Sequence, residues 1–237
     1  WIGFENQTLQ ILVKGEKISQ YNVSFDYQGV SLKQVHKADS ENYLFIDLNI
    51  SNLTEPGVFK LKFKHEDSEL EYNYKLDNKR NLNEQNNGFD SSDVIYLITP
   101  DRFANGNYSN DIIKGLKEDR IDRDDNYARH GGDLQGIADN IDYLKDMGFT
   151  SLWLNPVLIN DMKEGSYHGY ATTDYYTVDP RFGTMDDYLN LSTVAEKNNI
   201  KLIKDIIVNH CGLYHWWMED LPFDDWLNFQ EIYLNST

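Results

Sequence analysis

Three stretches of this sequence collect side chains that can bind a ligand. In the first, Asn105, Asn107, Asn110 and Asp111 set four oxygen donors within seven residues, and Gly106 lets the chain curl so that they converge. A Ca²⁺ ion takes about six to eight oxygens at roughly 2.3–2.6 Å, which such a turn and one distant carboxylate can supply. The same spacing also suits a solvated loop of Asx turns. In the second, Gly169 separates His168 from Tyr170. A residue this small lets both rings turn toward one point, where a phenol can stack on a sugar and an imidazole can hydrogen-bond its hydroxyls. A Tyr-rich loop packed on a rim gives the same pattern. The third runs Asp205, Ile206, Ile207, Val208, Asn209, His210. Strand alternation puts Asp205, Ile207 and Asn209 on one face and Ile206, Val208 and His210 on the other, until the strand ends. An Asp among Leu, Ile and Val is costly to bury without a cationic or hydrogen-bonding partner. A satisfied core Asp beside a surface His is the plainer account.

The elements that must hold these residues read as a parallel α/β layer. The apolar run 94–98 is continuous, as expected of a strand buried on both faces. After a loop of about 34 residues, a length that is usually functional or disordered, Ile137, Ile141 and Leu144 mark one face of a helix that stops at Gly148. Runs 151–154 and 200–208 are the second and third strands, and Thr184 with Asp187 forms a capping box that opens a helix through Tyr188, Leu191 and Ala195. Each long insert follows a strand, so the working loops lie at the C-terminal ends of the strands. Three such units leave an edge and an apolar face bare. Upstream, alternating runs at 9–13, 23–30, 43–50, 58–64 and 70–76, with turn signals and no helical period between them, predict an antiparallel sandwich. The expected organisation is a β-sandwich over 1–80, a polar linker over 81–92, and an α/β region over 93–237 whose aromatic, acidic end carries no fourth β/α unit.

Composition narrows the function classes. Hydrophobic residues make up 40% of the 237, enough for packed cores. A net charge of −17 repels phosphate backbones and anionic lipids, which argues against nucleic-acid and membrane-surface roles and favours a neutral ligand or a cation. Sixteen Tyr and five Trp suit sugar faces, although strands and cores absorb most aromatic rings. Cys211 is the one cysteine, so no intrachain disulfide can form. No run approaches the roughly 18 apolar residues of a membrane span, and no charged-then-apolar leader opens the chain. A first residue of Trp rather than Met fits a numbering that starts after a removed leader or at the boundary of a piece, and a periplasmic or extracellular location is the expectation.

Taken in order, the motifs TPDRFANGN, RHGGDLQGI, LWLNPV, YHGYATTDYYTVDPRFGT and DIIVNH resemble glycoside hydrolase family 13, the α-amylase family. The nearest likeness is to its neopullulanase, cyclomaltodextrinase and maltogenic-amylase subgroup, especially the starch-utilisation members from Bacteroidetes. The resemblance covers residues 93–222, and the sandwich matches the extra domain that the subgroup carries. It implies an immunoglobulin-like sandwich followed by about the first three β/α units of a (β/α)₈ TIM barrel. It further implies that Tyr170 stacks on the sugar before the scissile bond, that His210 hydrogen-bonds its primary hydroxyl, that His168 shapes the same subsite, and that Asp205 supports it from behind. Asn105, Asn107, Asn110, Asp111, the Gly131 carbonyl and Asp133 resemble the subgroup's N-terminal Ca²⁺ site, with Asn107 standing where some relatives have Asp and so carrying less negative charge.

The family cleaves α-glucosidic bonds with retention, through two carboxylates about 5–5.5 Å apart. The resemblance places these, and a third supporting Asp, after the fourth, fifth and seventh strands, so no catalytic residue is expected in this chain. The expected function is the N-terminal portion of a retaining hydrolase acting on α-1,4 or α-1,6 linkages of starch, pullulan or maltodextrins, inert by itself. The alternative is a non-catalytic glycan-binding or dimerisation module with an attached stub, and a homodimer through the N-terminal domain is a further expectation.

Overall fold

A computed structural model describes residues 1–78 and 88–228. Most of the expected linker, and the last residues of the chain, lie outside the described residues. The described chain divides into two compact units, 1–78 with 220–228, and 88–219.

The first unit holds β1 (Thr8–Lys14), β2 (Asn22–Ser24), β3 (Val30–Lys37), β4 (Tyr43–Ile50), β5 (Gly57–His65) and β6 (Ser68–Leu76). They form two antiparallel sheets, ordered β1-β4-β3 and β2-β5-β6. The alternation on β5 has the expected result: Phe59, Leu61 and Phe63 are buried and join Leu44, Ile46 and Leu48 of β4 in one core, while Lys60, Lys62 and Lys64 face water. Burying each such side chain is worth about 1.5–3 kcal/mol. One expectation needed correction, and one strand was not foreseen. The run 23–30 is not one strand, because the chain turns at Gly29, which has φ +82°, and separates β2 from β3. Strand β3 itself lacks a clean apolar alternation; it is largely exposed and its register shifts between Leu32 and Gln34. Residues 220–226 also belong to this unit. Phe223 stacks on Phe45 at 5.7 Å, Trp226 meets it edge-on at 6.2 Å, and the Tyr43 hydroxyl donates to the Asp220 carbonyl at 2.6 Å.

The second unit runs β7 (Ile95–Ile98), α1 (Pro100–Phe103), α2 (Leu134–Asp139), α3 (Ile141–Asp146), β8 (Ser151–Leu154), β9 (Leu158–Ile159), β10 (Asp174–Val178), α4 (Met185–Lys197) and β11 (Lys201–Lys204). Strands β7, β8 and β11 pair in parallel with β8 central, so that Leu97, Trp153 and Ile203 lie in one row. Ile98, Leu152 and Leu154 pack against Ile137, Ile141, Leu144, Leu191 and Ala195. The single expected helix is two short ones, broken at Asn140. The capping box is present: the Asp187 N–H donates to Thr184 Oγ1 at 3.2 Å and the Thr184 N–H to Asp187 Oδ2 at 2.7 Å. Asp93 ties the starts of all three strands, accepting from Thr150 Oγ1 and Lys201 Nζ at 2.7 Å each.

The strands are not buried on both faces. Ile95, Leu97 and Trp153 are 39, 51 and 40% exposed. Right-handed crossovers send every helix to the same side of a sheet ordered this way, which leaves these side chains of the other side partly exposed. The third strand is also shorter than 200–208. Its ladder stops where Lys204 pairs with Leu154, the last residue of β8, so Asp205, Ile207 and Asn209 do not alternate on a strand.

Candidate functional site

The loops after β8 and β11 meet. Ser166–His168 forms a 3₁₀ turn closed by Gly169 at φ +80°, where a Cβ would lie 2.0 Å from the Pro156 carbonyl oxygen; only glycine fits. Beyond it the chain doubles back. The Tyr170 N–H donates to His168 Nδ1 at 2.9 Å, and the two rings lie nearly parallel, 25° apart with centroids at 5.9 Å. That bond leaves the His168 proton on Nε2. Burial pushes the His168 pKa down, against the opposing charge of Glu118, so the ring stays neutral. From the other loop, His210 Nε2 donates to the Tyr170 carbonyl at 3.0 Å, and the Tyr175 hydroxyl donates to the His210 carbonyl at 2.6 Å.

Asp205 sits behind these rings. Its Oδ2 accepts from Trp153 Nε1 at 3.0 Å and from the Tyr170 hydroxyl at 3.2 Å, which supplies the hydrogen-bonding partners that an Asp here requires. Burial, and then the Asp205 charge, raise the Tyr170 pKa. The phenol therefore stays protonated and holds Asp205. Tyr170, His168, His210 and Asp205 are thus brought together at the C-terminal ends of β8 and β11, with a half-buried Tyr ring and neutral imidazole available to a ligand.

The oxygen-rich loop after β7 is also drawn together. Asn105 Nδ2 donates to Asp111 Oδ1 at 2.7 Å, and a Cβ on Gly131, whose φ is +86°, would lie 2.9 Å from both side chains. Asn105 Oδ1 and Asn110 Oδ1 are buried without any hydrogen-bond partner. Two orphaned amide oxygens beside a carboxylate suit a hard cation. The other two donors have local work as well. Asp133 caps α2 by accepting from the Gly136 N–H at 2.6 Å, and it accepts from the Gly106 and Asn107 N–H groups at 3.1 and 2.8 Å. Asn107 Oδ1 accepts from Ser109 in an Asx turn. Gly106 serves by close approach rather than by curl, since a Cβ there would meet the Gly136 nitrogen at 2.5 Å. No group of three or more His, Cys, Asp or Glu side chains forms a metal site among the described residues. A cation would rest on amide and carbonyl oxygens, which fits Ca²⁺ better than a transition metal.

Sequence reasoning passed over a buried charged cluster. Arg181, fully buried, donates from Nε and Nη2 to the two oxygens of Asp179 at 2.9 and 2.7 Å, and also reaches the Asn160 and Glu118 carbonyls. Burial raises the Asp179 pKa, but the hydrogen bonds and charge of Arg181, aided by Arg129, outweigh it and hold the carboxyl below its ordinary value. Arg129 lies over the Phe182 ring at 4.8 Å. The detectable signal was Asp-Pro-Arg at 179–181: two opposite charges, two residues apart, around a rigid φ.

Residues 97–225 match the family model described as alpha amylase, catalytic domain, and residues 1–81 match that described as cyclomaltodextrinase, N-terminal. A beta/alpha-amylase of Paenibacillus polymyxa is 44% identical over 52% of this chain and 10% of its own length. A cyclomaltodextrinase of Thermoanaerobacter pseudethanolicus is 39% identical over 58% of this chain and 24% of its own. The crystal structure of an Anoxybacillus alpha-amylase is 47% identical, with a TM-score of 0.49, over 54% of this chain and 26% of that one. The chain therefore spans a quarter or less of the length of these two curated relatives.

Proposed function

Because the chain belongs to the α-amylase family, in the branch that carries a cyclomaltodextrinase-type N-terminal domain, we propose that it is the N-terminal portion of a retaining α-glucan hydrolase and supplies part of the glucose-binding surface. The observation that carries this reading is the pinning of His210 to the Tyr170 carbonyl at 3.0 Å beside the parallel His168 ring. These residues bind and orient sugar, and the nucleophile and acid/base come from further strands. The substrate is a starch, pullulan or maltodextrin chain with α-1,4 or α-1,6 bonds, and the protein acts in the periplasm or outside the cell. Calcium, held by Asn105, Asn107, Asn110, Asp111, the Gly131 carbonyl and Asp133, pins the loop after β7; its chemistry there is structural. Calorimetric titration with maltoheptaose tests the reading. Tyr170→Ala is expected to weaken binding about tenfold, as the loss of one stacked ring implies; an unchanged affinity would overturn it.

A second reading, glycan binding by the first unit, is favoured by Trp1 and Phe4, exposed rings 14° from parallel with centroids 6.3 Å apart. Retardation in amylopectin gels that is lost on Trp1→Ala would support it. A homodimer through the same unit would use the edge of β6, where Leu70 and Tyr72 are exposed, and light scattering reads it directly.

A further inference from the structure

Asp101, Glu118, Arg129, Asp179 and Arg181 are all buried, and their hydrogen bonds stitch the loop after β7 to the loop after β8. One residue is gripped twice. Glu118 Oε2 accepts the Ser166 backbone N–H at 2.8 Å, and Arg129 Nη1 donates to Ser166 Oγ at 3.2 Å. Ser166 is itself wholly buried, and its carbonyl accepts from Asn160 Nδ2 at 3.2 Å. It is the first residue of the turn that ends in His168, whose carbonyl accepts from Asn155 Nδ2 at 3.3 Å and whose Nδ1 accepts the Tyr170 N–H.

We propose that Glu118 and Arg129 are positioning residues of the sugar subsite: they clamp Ser166, and through the turn that begins there they set the His168 imidazole and with it the Tyr170 ring. The proposal rests on the reading of those rings as a glucose subsite and deepens it. Stability alone is a poor account of the clamp. Arg129 is 1% exposed, yet its Nε and Nη2 find no hydrogen-bond partner, and its approach to Asp101 is a loose 3.6 Å. A buried guanidinium so incompletely satisfied contributes little to folding. What it does accomplish is directional: charge-assisted bonds, roughly twice as strong as neutral ones, converge on the backbone and the hydroxyl of a single loop residue. The plane of Arg129 is fixed in turn by the Phe182 ring beneath it.

The test uses the 237-residue polypeptide with Glu118→Ala, Glu118→Gln and Ser166→Ala, and reads two quantities. Long-range ¹H–¹⁵N spectra report the tautomer of His168, and calorimetry reports maltoheptaose affinity. The wild type is expected to hold His168 with its proton on Nε2. Glu118→Ala should mix the tautomers and weaken maltoheptaose about tenfold, whereas Glu118→Gln, which keeps an acceptor oxygen for the Ser166 N–H, should restore both within about twofold. A Glu118→Ala protein that melts earlier but keeps the wild-type tautomer and affinity overturns the proposal. Should Glu118→Ala fail to fold, Ser166→Ala removes only the acceptor for Arg129; mixed tautomers there support the clamp and an unchanged tautomer refutes it. If the wild type does not bind maltoheptaose, the sugar reading falls, and the tautomer measurement still decides the clamp.

Discussion

His168 is expected to make the site sensitive to pH. Its Nδ1 accepts a backbone N–H, a role open only to the neutral ring, and burial lowers its pKa from the ordinary value of about 6.5. For a group whose folded-state pKa is depressed, the stabilisation is fully present above the unfolded value and is lost as pH falls through the folded one. Maltoheptaose affinity should therefore be flat above about pH 6.5 and decline below it, as protonation breaks the bond to the Tyr170 N–H. His168→Gln, which cannot protonate, should abolish this acid limb. Titration calorimetry at stepped pH checks the point, and an acid limb that survives the substitution would assign it elsewhere. Tyr170 does not contribute in this range, because its pKa moves upward.

Arg181 and Asp179 show how an element is held by charge rather than by propensity. They fix the loop between β10 and α4, and removing one partner of a buried pair costs about 3–5 kcal/mol because the other is left uncompensated. Asp179→Asn is expected to destabilise the second unit by about that amount in urea unfolding followed by Trp fluorescence, while joint replacement by Leu at 179 and Met at 181 should cost less. Equal losses from the single and double changes would argue against an uncompensated charge. The oxygen-rich loop makes a separate prediction. Added Ca²⁺ should raise the melting temperature and a chelator should reverse it; Asn110→Ala should remove that response while leaving the chelated protein no less stable, since the Asn110 oxygen has no partner without an ion. A calcium response that survives Asn110→Ala, or none in the wild type, would count against the site. The same comparison of elements shows what was legible in the sequence. The β5 alternation and the Thr184 capping box are local patterns, and both appear as expected. Strand β3 and the end of β11 depend on which neighbour offers a ladder partner, and the clamp on Ser166 joins residues 37 and 48 positions apart. Those are facts of the fold that no local window contains.

At the scale of the molecule, the second unit holds the candidate site at the ends of three parallel strands. Three parallel strands put all their helices on one side, and Ile95, Leu97 and Trp153 on the other side remain exposed. Retaining cleavage of a glycosidic bond needs two carboxyl groups about 5–5.5 Å apart, one raised in pKa to act as acid. Among the carboxylates of the site, Asp205 is engaged by Trp153 and Tyr170, Asp133 by three backbone N–H groups, and Asp101 by Arg102 and the His130 N–H. Asp179, in the buried cluster nearby, is held below its ordinary value by Arg181. Orientation of a sugar lowers a barrier only when the groups that react are also in place. A reducing-sugar assay of the 237-residue polypeptide on maltoheptaose is therefore expected to show no turnover above the uncatalysed background, even at concentrations where calorimetry shows the sugar bound. Turnover that survived Asp205→Asn would require a nucleophile not identified in this site, and turnover lost with that substitution would move Asp205 from support to chemistry.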